Sequence, residues 1–304
     1  MAMKQISNND IIGLHISPSQ CVDWVRKSFL LKSEAQLPPK ISLHPQGDDF
    51  FNTMPCLLPA AYDRFGVKVV SRIAGKKPSL HSDMLLYQAS TGELLAFMEA
   101  DWITQMRTGA VAALAIQTLQ SSKAQVYAFV GLGSTAHATM QCLQAILPSD
   151  KHITCKLLRY KDQAERFATE FAADNITFEM VDTHADLVRN TDVLISAVTE
   201  MPDLFCADNT LYKEGVLVVP IHTRGFQNCD LFFDKVVADD RGHVCHFKYF
   251  DRFRKFNELS DILHNTIPAR QSDKERILAY NIGLGLHDVY YANKIYSLLS
   301  NTSR

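Results

Sequence analysis

The sequence predicts an α/β chain of two domains: an α+β domain first, then a Rossmann doubly wound parallel sheet. Three observations carry this reading. At 304 residues the chain exceeds one ordinary core, and about 150 residues per domain suggests two. From residue 124 onward, short apolar runs alternate with helical stretches, the pattern of right-handed βαβ units. The near-continuous apolar run Val126–Val130 then feeds the turn Gly131-Leu132-Gly133-Ser134-Thr135-Ala136, as a central strand buried on both faces would.

In chain order, residues 17–32 form an amphipathic helix opened by Ser17 and Pro18, with Cys21, Val22, Val25, Phe29 and Leu30 at helical spacing. Runs at 50–54, 66–73, 84–88 and 94–99, separated by turn signals at Pro59, Gly75 and Ser90-Thr91-Gly92, predict an antiparallel or mixed sheet of hairpins. A helix rich in Ala, Val, Leu and Thr covers 102–119, and the polar break at 120–123 marks the boundary between domains 1–121 and 122–280. The second domain reads as strand 124–130, helix 135–147, strand 152–160, helix 161–174, strand 177–181, a helix near Ala185, and strands 193–197 and 215–220. A last helix over 284–299 is expected to return to the first domain, which 281–304 complete.

Composition sets limits on function. Hydrophobic residues at 47% and charged residues at 21% are globular values, which argue against disorder or a fibrous repeat. A net charge of −2, from 31 basic and 33 acidic residues, gives no field to recruit nucleic acid. Arg252, Arg254 and Lys255 read instead as a solvated helix face. The seven cysteines form no CxxC and read as reduced thiols, with a cytoplasmic location expected. No apolar stretch approaches a membrane span or a signal peptide. His243, Cys245 and His246 beside Asp239 and Asp240 match no standard zinc spacing, so no metal is expected. Phe247, Tyr249, Phe250, Phe253 and Phe256 read as a packing stripe.

The glycine turn is the strongest chemical signal. In a strand–turn–helix context Gly131 permits the tight turn, Gly133 lets a pyrophosphate approach the backbone, and the small Ala136 lets the helix close on the sheet. Amides at the helix start, from Ser134 and Thr135, would face the phosphates. A plain glycine-rich turn is the alternative, and the surrounding alternation argues against it. An NAD site would end the second strand in Asp or Glu; here Arg159, Tyr160 and Lys161 stand there. Basic residues suit a 2′-phosphate, which favours NADP over NAD, unless they are ordinary surface charges.

Further strings lie in order along nearly the whole chain. They are Pro38-Pro39-Lys40, Met54-Pro55, Gly66-Val67-Lys68-Val69-Val70, Ser90 to Leu95, Ile103-Thr104-Gln105-Met106-Arg107-Thr108-Gly109-Ala110, Asp192 to Thr199 and Gly283-Leu284-Gly285-Leu286-His287-Asp288. Together they resemble the ornithine cyclodeaminase/mu-crystallin family. The resemblance implies hydride exchange between a nicotinamide and the α-carbon of a small amino, imino or keto acid. It also implies a homodimer, whose first domains serve substrate binding and dimerisation. It adds Thr108, Ser196, Ala197, Val198 and Gly283 to the cofactor residues.

Arg107 sits among small apolar residues, where a guanidinium needs an anion. That anion is a structural partner such as Glu99 or Asp101 or, as the resemblance implies, a substrate carboxylate held bidentately. Alternation could place Lys68 on either face of its strand; the resemblance makes it the inward lysine that moves a proton at the imine. Lys40 would assist with the carboxylate, where the family often has arginine. Two departures stand out. Asn52 replaces a cyclodeaminase glutamate, and His222 occupies the place of the catalytic aspartate in the loop after the fifth strand. An imidazole there could act as acid or base near neutral pH, or it could equally be a polar loop residue. Losing both acids argues against deaminating cyclisation. The leading expectation is an NAD(P)-dependent oxidoreductase at the C–N bond. Its alternatives are a cyclodeaminase or condensing synthase that recycles its hydride, and a non-catalytic NADPH-binding protein of mu-crystallin type.

Overall fold

The computed structural model describes residues 3–199 and 201–301. It divides into two compact units, residues 1–107 with 283–304 and residues 108–282. The division falls inside a helix, between Arg107 and Thr108, ahead of the polar break at 120–123.

The first unit begins with β1 (Lys4–Ile6), α1 (Asn8–Ile12) and α2 (Pro18–Leu30). Ser17 caps α2 by accepting from the Gln20 amide, and Pro18 opens its first turn, where the missing N–H costs nothing. Then come β2 (Ile41–Leu43), β3 (Phe50–Leu57), β4 (Arg64–Arg72), β5 (Leu80–Gln88), β6 (Leu94–Glu99) and the start of α3 (Asp101–Leu119), which from Thr108 onward belongs to the second unit. The strands form a six-stranded sheet in the order β1-β6-β5-β4-β3-β2, antiparallel except for the β1–β6 pair. The predicted runs at 50–54 and 84–88 lengthen to Leu57 and back to Leu80, because β4 pairs with both neighbours along its whole length.

The second unit holds β7 (Val126–Val130), α4 (Ser134–Ile146), β8 (Ile153–Leu158), α5 (Gln163–Glu170), β9 (Ile176–Val181), α6 (His184–Val188), β10 (Val193–Ser196) and β11 (Leu217–Pro220). It continues through α7 (Cys229–Phe232), β12 (Lys235–Ala238), α8 (Arg241–Val244), β13 (Phe256–Glu258), α9 (Leu259–Leu263) and β14 (Ile277–Tyr280). Its eight parallel strands run β9-β8-β7-β10-β11-β14-β12-β13. The first five follow the Rossmann order, the last strand β14 takes the sixth place with β12 and β13 beyond it, and the order reverses at β7, where this fold binds dinucleotides. Phe247, Phe250, Phe253 and Phe256 pack against the core of this unit. The helix face expected at Arg252, Arg254 and Lys255 is corrected: Phe250–Arg252 is one 3-10 turn, and Arg254 lies 3.3 Å from Asp234. Helical continuity there is broken by the aromatic side chains turning in to the core.

The chain returns to the first unit as α10 (Gly285–Asn301), which packs on β3, β4 and β5 and beside α2. Beneath it, Met54, Lys68, Met84 and Met98 stand side by side across four strands, all buried. Among the described residues no helix is long and apolar enough to cross a membrane.

Candidate active site

The register of β4 decides where Lys68 points. Between Met54 and Met84, on the covered face of the sheet, its side chain is fully buried. Burial first, and then the positive charge of Arg107, lower its pKa to about 7. An ammonium there costs several kcal/mol unless an anion meets it, and Asp288 does. Lys68 Nζ donates to Asp288 Oδ1 at 2.8 Å.

Arg107 converges on the same oxygen, its Nε donating to Asp288 Oδ1 at 2.8 Å. Glu99 and Asp101, the partners considered from sequence, are engaged elsewhere, by the amides of Asn8 and Ser82. Because the pair uses Nε, the terminal amino groups of the fork are not spent on Asp288. Gly283 has φ +94°, and a Cβ there would stand 2.6 Å from Arg107 Nη1; a glycine is required to clear the guanidinium. Gly283 was expected with the cofactor, and within its own unit it serves this cluster. The Asp288 carboxyl would rise on burial, but Arg107 and Lys68 outweigh that and hold it below its ordinary range. Two cations thus share one carboxylate. Lys40 adds a third positive charge near enough to act on Lys68, and Asn52 lies on the same sheet face as Lys68, its Oδ1 buried with no hydrogen-bond partner among the described residues. Sequence reasoning quoted Asp288 but gave it no role.

In the second unit, Gly131 has φ +78°, and a Cβ there would stand 2.6 Å from the backbone of Ala197 and Val198. The turn and the 197–198 loop are therefore brought together, with Ser196 buried at the end of β10. Gly133 is the N-cap of α4 with no side-chain capping bond, and nothing lies within 4 Å of where its Cβ would be. The Gly133 amide donates to the Gly131 carbonyl at 2.9 Å, and the open space over the first-turn amides of exposed Ser134 and half-buried Thr135 fits a pyrophosphate. Ala136 is buried on the sheet. Beside Thr108, a Cβ on Gly109 would stand 2.4 Å from Ala138 of α4, so α3 and α4 pack backbone to backbone.

After β8, the Arg159 guanidinium donates to Glu165 at 3.1 Å and Asp182 at 3.2 Å. Tyr160 is 61% exposed, and Lys161 has φ +54° with its Nζ 5.3 Å from the Tyr160 ring. His222 Nε2 lies 2.7 Å from Ser196 Oγ, and burial lowers its pKa to about 4. With that pKa its imidazole is neutral at pH 7. Among the described residues, no group of three or more His, Cys, Asp or Glu is placed to hold a metal.

A sequence profile of the ornithine cyclodeaminase/mu-crystallin family matches residues 3–303. The nodulation efficiency protein NfeD of Rhizobium meliloti is 25% identical over 272 residues, 86% of this chain and 83% of that protein. Among solved structures, the Thermococcus litoralis Δ1-pyrroline-2-carboxylate reductase in complex with NADH and L-proline superposes with TM-score 0.85 at 20% identity, covering 99% of this chain and 98% of that one. An archaeal alanine dehydrogenase dimer with bound NAD gives TM-score 0.86 at 22% identity, covering 100% and 98%. At these identities the two superpositions establish the fold.

Proposed function

The chain belongs to the ornithine cyclodeaminase/mu-crystallin family, and from that premise we propose that it is an NAD(P)-dependent oxidoreductase acting on the C–N bond of a small α-amino or α-imino acid. The observation that carries this reading is the buried Lys68–Asp288–Arg107 cluster, in which one carboxylate faces two cations. The uncompensated charge calls for an anion, and an α-carboxylate fits the terminal amino groups of Arg107. Lys40 and Asn52 would take part in substrate binding.

When bound, a nicotinamide dinucleotide supplies or accepts the hydride at the substrate α-carbon. Gly131, Gly133 and the first-turn amides of α4 would hold its pyrophosphate, with Ala197 and Val198 alongside. Lys68 donates a proton to the imine nitrogen during reduction and takes one back during oxidation; a pKa near 7 suits both directions. Use of NADP requires Arg159 to exchange Glu165 and Asp182 for the 2′-phosphate. Relative KM values for NADPH and NADH, in wild type and Glu165→Gln, measure that exchange. The likeness to a dimeric alanine dehydrogenase and the partly exposed row Pro55, Val67, Leu85 and Phe97 on the outer sheet face support a homodimer.

The test is to follow nicotinamide absorbance with a panel of cyclic imino acids, and with keto acids plus ammonia. Stoichiometric consumption supports the reading. Substrate conversion with no change in absorbance would show internal hydride recycling instead.

A further inference from the structure

We propose that Asp288 is a positioning residue for this reaction, holding Lys68 and Arg107 on one carboxylate oxygen and governing the protonation of Lys68 as the anion set against it. The inference rests on Lys68 being the proton carrier of the proposed function.

Asp288 lies in the first turn of α10, where the helix dipole favours a negative charge. Its side chain is fully buried, and Oδ1 accepts from both cations at 2.8 Å. Oδ2 is buried with no hydrogen-bond partner among the described residues. A carboxylate kept only for packing would satisfy both oxygens, since an orphaned buried acceptor costs stability. This one is placed by its charge. The groups that act on Lys68 are Arg107 from α3, Lys40 from the segment before β2 and Asp288 from α10. Cys56 of β3 stands near Asp288, but burial pushes its thiol up to about 12 and keeps it neutral.

The charge balance follows directly. Arg107 and Lys40 push the proton off Lys68, and Asp288 holds it on. Without Asp288 the lysine faces two cations in an apolar setting and gives up its proton at lower pH. Without Arg107 the carboxylate serves Lys68 alone and the proton is held to higher pH. Paired opposite charges at such distances shift a titration by about 1–3 pH units.

The experiment is an NMR titration of the full-length protein carrying isotope-labelled lysine, with Lys68→Met used to assign the signal. The wild-type midpoint is expected near 7. Asp288→Asn, which keeps an acceptor but loses the charge, should lower it by about one pH unit or more, whereas Asp288→Glu should leave it near wild type. Arg107→Met should raise it. If Asp288→Asn fails to fold, Arg107→Met still decides. The reductive pH–rate profile should move with the titration, which a merely structural role would not produce. A Lys68 midpoint unmoved in both Asp288→Asn and Arg107→Met overturns the proposal. Shifted midpoints without turnover on any imino acid would uphold Asp288's control of Lys68 and overturn the proposed function instead.

Discussion

Lys68 combines a large desolvation cost with the chemical use proposed for it. Flanked by Met54 and Met84, its stem packs as a methionine would. Lys68→Met should therefore leave the melting temperature unchanged or raised, because replacing one member of a buried ion pair by a well-packed apolar side chain is tolerated while Arg107 still neutralises Asp288. Turnover should fall about 100-fold or more with the proton donor gone. Calorimetry and kcat on the same preparation check both. Arg107→Lys keeps a charge but loses the planar fork, so KM for the carboxylate substrate should rise about tenfold or more. Asp230 supplies a stability test. Burial raises its pKa to about 7 from 3.8 while Tyr280 donates to it at 2.9 Å. A carboxyl raised on folding contributes stability that is fully present below its unfolded pKa and is lost as pH rises through the folded one. Wild type should therefore lose stability as pH rises from about 4 to about 7, by up to about 1.4 kcal/mol for each pH unit crossed, and Asp230→Asn should lose less. Parallel unfolding curves for the two across that window would contradict the assignment.

At the level of elements, the β7–turn–α4 unit carries the cofactor reading, and α3 must lie close against α4 for it to form. Gly109→Ala puts a Cβ 2.4 Å from Ala138 and should destabilise by about 1–3 kcal/mol, seen as a lower denaturant midpoint. This unit was legible in the sequence because an apolar run, two glycines and a helical period adjoin. By contrast β12, β13 and β14 are three or four residues each, too short for a period to be counted. The basic residues after Phe250 were misplaced on a helix for the same reason. The tie between Lys68, Arg107 and Asp288 was hidden for another. It joins positions 220 and 181 residues apart, and only the return of α10 over the sheet brings them together. His222 was found by spacing, but its neutrality depends on burial beside Ser196, which no spacing reveals.

For the whole molecule, the two-domain plan followed from length and the change of period at residue 124, while the extent of the first unit depends on the C-terminal helix. The outer sheet face carries Ile41, 58% exposed, and Leu43, 64% exposed, at its edge, and apolar side chains gathered on one exposed face favour association. Light scattering should give a dimer, and Val67→Glu on that face should shift it to monomer. The direction of chemistry is the most direct test. Reduction of an imino acid needs Lys68 protonated, so its rate should fall as pH rises through about 7, while oxidation of the amino acid should rise over the same range. The decisive measurement is nicotinamide absorbance during turnover of an imino acid by wild type and Lys68→Met across that range. Wild type should consume the reduced nicotinamide stoichiometrically, at a rate that falls as pH rises, and the variant should be nearly silent. Equal rates in the two, or no consumption with any imino acid, would contradict the proposed chemistry.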